Sequence, residues 1–139
     1  MENGQLEIIG GGWCMSDEAV SYYQSFIDQF TWGFRRLNDT FGSAATPTIG
    51  WQIDSFGHSR ELASLMALMG FDALFFARID MSDREYRKRN RLMEFIWKGN
   101  SDLGTKEHLS NSSILLRIVI INKNSCFRVI RGNFYWNYV

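Results

Sequence analysis

Several features that would announce a particular class of protein are scarce or absent here. A single proline, Pro47, in 139 residues excludes a proline-rich linker. Two cysteines, Cys14 and Cys126, are too few and too far apart for a disulfide framework or a zinc motif. Each reads as a free thiol, with one bridge between them as the alternative. There is no excess of either charge: fifteen basic residues balance fifteen acidic ones, so charge gives no reason to expect nucleic acid or an anionic membrane as partner. No uncharged apolar run reaches the roughly 18 residues of a transmembrane helix. Met1 to Gly4 is polar and acidic, without a basic n-region or an apolar h-region, so no secretory leader is expected here. What is present is a folding composition, 45% hydrophobic and 15% aromatic, with length enough for one domain and a moderate core. Aromatics in this number suit either the lining of a sugar-binding cleft or a core.

Residues 6–97 alternate strand-like and helix-like segments. Leu6-Glu7-Ile8-Ile9 reads as a short strand stopped by Gly10-Gly11-Gly12. Ser16 can cap a first helix, with Asp17 and Glu18 in its first turn. Val20, Tyr23, Ile27, Phe30, Phe34 and Leu37 then lay one apolar stripe along roughly six turns, with Gly42 just past the end. Thr48–Ile53 is the second strand. Ser59 caps a second helix whose buried face is Leu62, Leu65, Met66 and Met69, and Gly70 stops it. Ala73–Ala77 is continuously apolar, as expected of a central strand covered on both faces. Ser82-Asp83-Arg84-Glu85 has the form of a capping box for a third helix, with Tyr86, Met93 and Trp97 as its thin apolar stripe and Gly99 at its end. The order βαβαβα predicts a parallel sheet with right-handed crossovers. From about Thr105 the texture changes: polar 106–113 leads into Ile114–Ile121, then Asn122-Lys123-Asn124, then aromatic-rich 126–139, which reads as two strands and a turn. The division is therefore 1–104 and a tail, 105–139.

The most informative run is Trp51-Gln52-Ile53-Asp54-Ser55-Phe56-Gly57-His58-Ser59. A strand ends in a carboxylate, a turn with Gly57 follows, and a helix opens at Ser59. Asp54 thus falls at the C-terminal end of a strand in a βα unit, where α/β proteins keep their chemistry. It is a candidate nucleophile or metal ligand; the competing reading is a turn acid that only bonds nearby backbone. The basic run Arg84, Arg87, Lys88, Arg89 and Arg91 is interleaved with Asp83, Glu85 and Glu94, the pattern of a solvated helix face rather than of a nucleic-acid patch. Asn38-Asp39-Thr40 and Asn111-Ser112-Ser113 are glycosylation sequons, meaningful only in the secretory pathway.

Taken together, Gln5-Leu6-Glu7, Gly11-Gly12-Trp13, Asp17-Glu18-Ala19, Trp51–Ser59, Met69-Gly70-Phe71-Asp72 and Phe75-Phe76-Ala77-Arg78 resemble the family 38 glycoside hydrolases, and most closely their lysosomal branch. The likeness runs over roughly residues 4–104 in register. Ser55 departs from it, since proline is common there, which bears on turn rigidity more than on chemistry. The resemblance implies a partial barrel-like α/β catalytic domain, here about three βα units, and a retaining, zinc-dependent hydrolysis of terminal α-mannose from N-glycans. It implies that Asp54 is both nucleophile and zinc ligand. A retaining enzyme needs a second carboxylate about 5–5.5 Å from the first as acid and base, and zinc can hold sugar hydroxyls and orient the nucleophile.

The family's histidine ligands lie elsewhere, so His58 reads as a structural hydrogen-bonding group rather than a metal ligand. Trp13 packs beneath the sugar or near the metal, or is a core tryptophan. Arg78, at a strand's C-terminal end, contacts substrate or the Asp54 carboxylate, or makes a plain salt bridge with Asp80 or Asp83. The family's His-x-Asp zinc motif is expected upstream of Leu6, and its remaining zinc histidine and acid/base aspartate downstream of the matching stretch. With Asp54 as the sole member of the zinc set, the chain is expected to be inactive alone. The competing function is a non-catalytic fragment that binds sugar or protein through exposed core surface; a Golgi-type glycan-trimming enzyme of the same family is a third. The tail strands are expected to cover a sheet edge or to aggregate, and self-association is expected through exposed core surface.

Overall fold

The computed structural model describes residues 1, 3–19, 21–54 and 57–98, and the strand segments 115–120, 129–130 and 133–134. Along the chain run α1 (Tyr23–Phe41), a 3-10 turn (Ser43–Ala45), β1 (Ile49–Gln52), α2 (Arg60–Leu68), β2 (Ala73–Phe76), α3 (Met81–Arg89), β3 (Glu94–Lys98), β4 (Leu115–Ile120), β5 (Val129–Ile130) and β6 (Asn133–Phe134). Four strands form one sheet in the order β1-β2-β4-β3. The first three are parallel, with Gln52 opposite Phe76 and Phe76 opposite Ile120. β3 runs antiparallel to β4, so the sheet is mixed. β5 and β6 pair with each other, Val129 opposite Phe134. Among the described residues no helix is long and apolar enough to cross a membrane.

β2 behaves as its composition demands. Every residue in it is buried, because alternate side chains feed two clusters on opposite sheet faces. Leu74 and Phe76 join Leu62, Ala63 and Met66 of α2, Phe30 of α1, Phe71, Met93 and Ile120. Ala73 and Phe75 join Ile49, with Trp51 packed against them. The tail strand β4 covers the edge of β2 and places Ile120 in the main cluster. Ser59 caps α2, its Oγ accepting the Leu62 N–H at 3.1 Å. Gly42 and Gly70 lie just past their helices with φ of 75° and 90°, a conformation that favours glycine.

Four expectations are corrected. Leu6–Ile9 is not a strand: Leu6 is 58% exposed, and among the described residues the segment is tied to the sheet by the Gly10 N–H donating to the Ile49 carbonyl at 2.7 Å. Gly10 and Gly11, at φ of 72° and 80°, bend the chain away from β1 before a ladder can form. The first helix does not start at Ser16. Asp17 Oδ1 accepts the Ala19 N–H at 2.9 Å, an Asx turn that competes with helix, and α1 opens only at Tyr23. Its buried face departs from the expected stripe only in the first turns: Tyr23 and Ile27 are exposed and Phe26 takes their place, while Phe30 and Phe34 pack on the core as expected. Phe71 decides this, its ring centroid lying 5.9 Å from both Phe30 and Phe34. Val20 of the expected stripe lies outside the described residues.

The third correction concerns α3. Its cap is Asp80, whose Oδ1 accepts the Ser82 and Asp83 N–H groups at 2.9 and 3.0 Å; the Ser82–Glu85 box lies inside the helix. The fourth is its end. The Leu92 N–H donates to the Arg87 carbonyl at 2.8 Å and the Arg91 N–H to the Lys88 carbonyl at 3.3 Å, a Schellman motif with Arg91 at φ 58° in the place glycine usually takes. The chain then reverses, and Phe95-Ile96-Trp97 enter β3 rather than a helix. Tyr86, 60% exposed, belongs to no apolar stripe. Arg87 pairs with Asp83 at 2.7 Å and Lys88 with Glu85 at 3.3 Å; Arg89 and Arg91 are exposed as expected of a solvated face, whereas Arg87 is half-buried over the Phe95 ring at 4.8 Å. Gly99, Asn111 and Cys126 lie outside the described residues.

One helical glycine sets the spacing of the whole N-terminal half. A Cβ on Gly33 of α1 would overlap the Gly11 carbonyl oxygen and stand 2.8–2.9 Å from the Gly12 backbone. Gly33→Ala gains about 1 kcal/mol of helix propensity but meets backbone that cannot yield. A net loss of about 2 kcal/mol is expected, read as a lower urea midpoint with unchanged m-value. A midpoint equal to or above that of the parent chain would overturn this account of the packing.

Candidate active site

Asp54 and Arg78 occupy matching places on neighbouring parallel strands. Gln52 and Phe76 are register partners at the ends of β1 and β2, and each candidate lies two residues further on. Both are exposed. Asp80 spends Oδ1 on the helix amides and Asp83 spends Oδ2 on Arg87, so a salt bridge from Arg78 to either is not made among the described residues. Ser55 and Phe56 of the motif lie outside the described residues.

His58 joins the two strand ends. Its ring stacks on Phe76, with centroids 4.0 Å apart and planes 27° from parallel. Its Nε2 lies 2.7 Å from the Arg78 carbonyl oxygen, and since a carbonyl only accepts, Nε2 carries the proton. This is the hydrogen-bonding role expected for it. Among the described residues no three His, Cys, Asp or Glu side chains converge to hold a metal ion. The described groups therefore do not fit a zinc set by themselves.

Trp13 is 71% exposed, a surface tryptophan rather than a core one. The loop that carries it is laced to α1: the Trp13 N–H donates to the Gln29 carbonyl at 3.2 Å, and the Cys14 N–H to Gln29 Oε1 at 3.1 Å. Cys14 is a free, exposed thiol. The same loop and the end of β1 line a cleft through Gly10, Gly12, Ser16, Phe30, Trp51 and Gln52.

Sequence reasoning missed two residues that hold this site. Gln52, 1% exposed, donates from Nε2 to the Ser16 carbonyl. Glu18 accepts the Ser59 N–H on Oε2 at 2.7 Å. A buried glutamine in a four-residue strand was the available signal for the first, since a buried amide must find a partner. Nothing local marks the second.

His58→Phe keeps the stacking on Phe76 and loses the donor to Arg78, and is expected to cost about 1 kcal/mol. His58→Ala loses both and should cost about 2–3 kcal/mol. Urea unfolding of the two variants checks this, and no loss in the Phe variant would remove the hydrogen bond from the account.

Comparison with known proteins gives this strand-end arrangement a family. The family model described as "Glycosyl hydrolases family 38 N-terminal domain" matches residues 1–123. The chain is 52% identical over 103 residues to the lysosomal alpha-mannosidase of Cavia porcellus, covering 74% of this chain and 10% of that protein. It is 48% identical over 103 residues to the lysosomal alpha-mannosidase of Homo sapiens, with the same coverage. To an alpha-mannosidase of Arabidopsis thaliana it is 48% identical over 110 residues, 78% of this chain and 11% of the relative. The chain thus spans about a tenth of the length of the curated relatives it matches. By both the family model and the level of identity, it belongs to glycoside hydrolase family 38, within the N-terminal domain.

Proposed function

We propose that this chain is a piece of the catalytic domain of a retaining α-mannosidase, with Asp54 as its nucleophile. The observation that carries the reading is the position of Asp54, exposed two residues beyond β1 and level with Arg78 beyond β2, inside a stretch that belongs to family 38. In that role Asp54 attacks the anomeric carbon and a second carboxylate about 5–5.5 Å away protonates the leaving oxygen, then activates water. Arg78 and Trp13 are the substrate-binding candidates: a guanidinium at the neighbouring strand end, and an exposed indole face for a sugar ring.

Finer features belong to the same proposal. Zinc dependence has Asp54 as the one ligand this chain would bring. The substrate is terminal α-mannose on N-glycans, and the setting is lysosomal, supported by relatives named for that compartment. The four-stranded sheet is read as part of a larger barrel-like domain. The pattern of the sequence divides the chain into a family-like stretch, 1–104, and a divergent tail, 105–139. The family model's reach to residue 123 favours a tail that begins after β4.

Alone, the chain is expected not to turn over an aryl α-mannoside, because one carboxylate cannot perform a two-carboxylate mechanism. Substituted for the matching stretch of the guinea-pig relative, residues 1–104 should support hydrolysis. Asp54→Asn in that chimera should lower kcat about 10⁶-fold, the scale on which loss of a covalent nucleophile acts. A fluorinated mannosyl fluoride should leave a covalent adduct on Asp54, read by mass spectrometry. Undiminished turnover in the Asn variant, or an adduct on another residue, would remove Asp54 from the role.

A further inference from the structure

The mannosidase reading leaves Glu18 without a task, yet its carboxylate reaches from the 16–19 turn to the helix behind Asp54. An N-cap residue has a backbone N–H of its own, which in a capping box is taken by a Glu or Gln at the third helical position. In α2 that position is Leu62, whose side chain has no acceptor. Ser59 Oγ serves the Leu62 N–H, and the Ser59 N–H is served instead by Glu18, 41 residues earlier in the chain. The other Glu18 oxygen, Oε1, is shut away from solvent, so this is not a surface acid resting by chance on a helix end. A carboxylate there also meets the positive end of the α2 dipole. On the other side of Asp54, buried Gln52 donates to the Ser16 carbonyl. The stretch that bears Asp54 is therefore fastened two residues before it and five residues after it to one short segment, residues 16–18.

We propose that Glu18 is a positioning residue for Asp54: by capping α2 from a distant loop it fixes where the turn leaves β1 and where the carboxylate stands. The proposal rests on the nucleophile reading of Asp54, but its test does not need turnover. Amide hydrogen exchange is measured on the 139-residue chain and on Glu18→Met, Glu18→Ala and Glu18→Gln variants. Met and Ala remove the acceptor, and should raise exchange at Ser59 about tenfold, with a smaller rise at Asp54, while the β2 amides of Leu74 and Phe75 stay protected. Gln keeps an acceptor oxygen in the same shape and should restore most of the Ser59 protection. Unchanged Ser59 exchange in Met and Ala would overturn the proposal. So would loss of β2 protection in step with Ser59, which would make Glu18 a support of the whole fold, and so would a Gln variant no better than Met. Failure of the nucleophile reading shows separately, as absence of the mannosyl adduct on Asp54 in the chimera.

Discussion

The strand-end site depends first on a close approach of backbone to backbone at Gly33. A helix normally keeps its neighbours at side-chain distance; here one missing Cβ lets the Gly11–Gly12 segment lie directly on α1. Gln29, one turn earlier on the same helix, then reaches the loop through its main-chain and side-chain oxygens. With the loop pinned, the Ser16 carbonyl and the Glu18 carboxylate fall within bonding distance of Gln52 and Ser59. The order of cause runs from a helical glycine to a loop, from the loop to both flanks of a turn, and from the turn to Asp54.

The sheet supplies what that chain of contacts needs to work against. β2 is held at both edges by β1 and β4, its Leu74 and Phe76 pack against α1 and α2 on one face, and its Ala73 and Phe75 lie beside Ile49 and Trp51 of β1 on the other. Asp54 and Arg78 leave this block at the same level, and His58 ties one exit to the other through the Arg78 carbonyl and the Phe76 ring. Such a division, a rigid scaffold carrying exposed groups on short bonded loops, is how α/β proteins hold reactive side chains accurately without burying them.

What could be read from the sequence follows from how local its cause was. The strand 49–52, the serine cap at Ser59 and the buried run 73–76 are each determined by residues within a few positions of themselves, and each forms as expected. The place of Asp54, just beyond the end of β1, was legible for the same reason. The errors sit where two local solutions compete. Asp80 and Ser82 are both good caps, and Asp80 wins because its carboxylate reaches two amides at once. Arg91 gives no glycine signal for a helix end, so the reversal into Phe95-Ile96-Trp97 was hidden behind a helical spacing. The Glu18–Ser59 contact had no signal at all, because a cap imported over 41 residues leaves no spacing to recognise.

The acids near the site also bear on how the chemistry must be divided. A retaining mechanism asks for one carboxylate that attacks and another that gives and takes a proton. Asp17 accepts the Ala19 N–H, Glu18 accepts the Ser59 N–H, and Asp80 accepts two amides of α3. Each already closes a turn or a helix end, and drawing it toward a substrate would undo the contact that shapes the loop. These three acids maintain geometry, and Asp54, two residues beyond the end of β1, is the acid on which the proposed function draws. If Asp54 attacks as proposed, none of these three could serve as its acid/base partner without giving up the contact it makes.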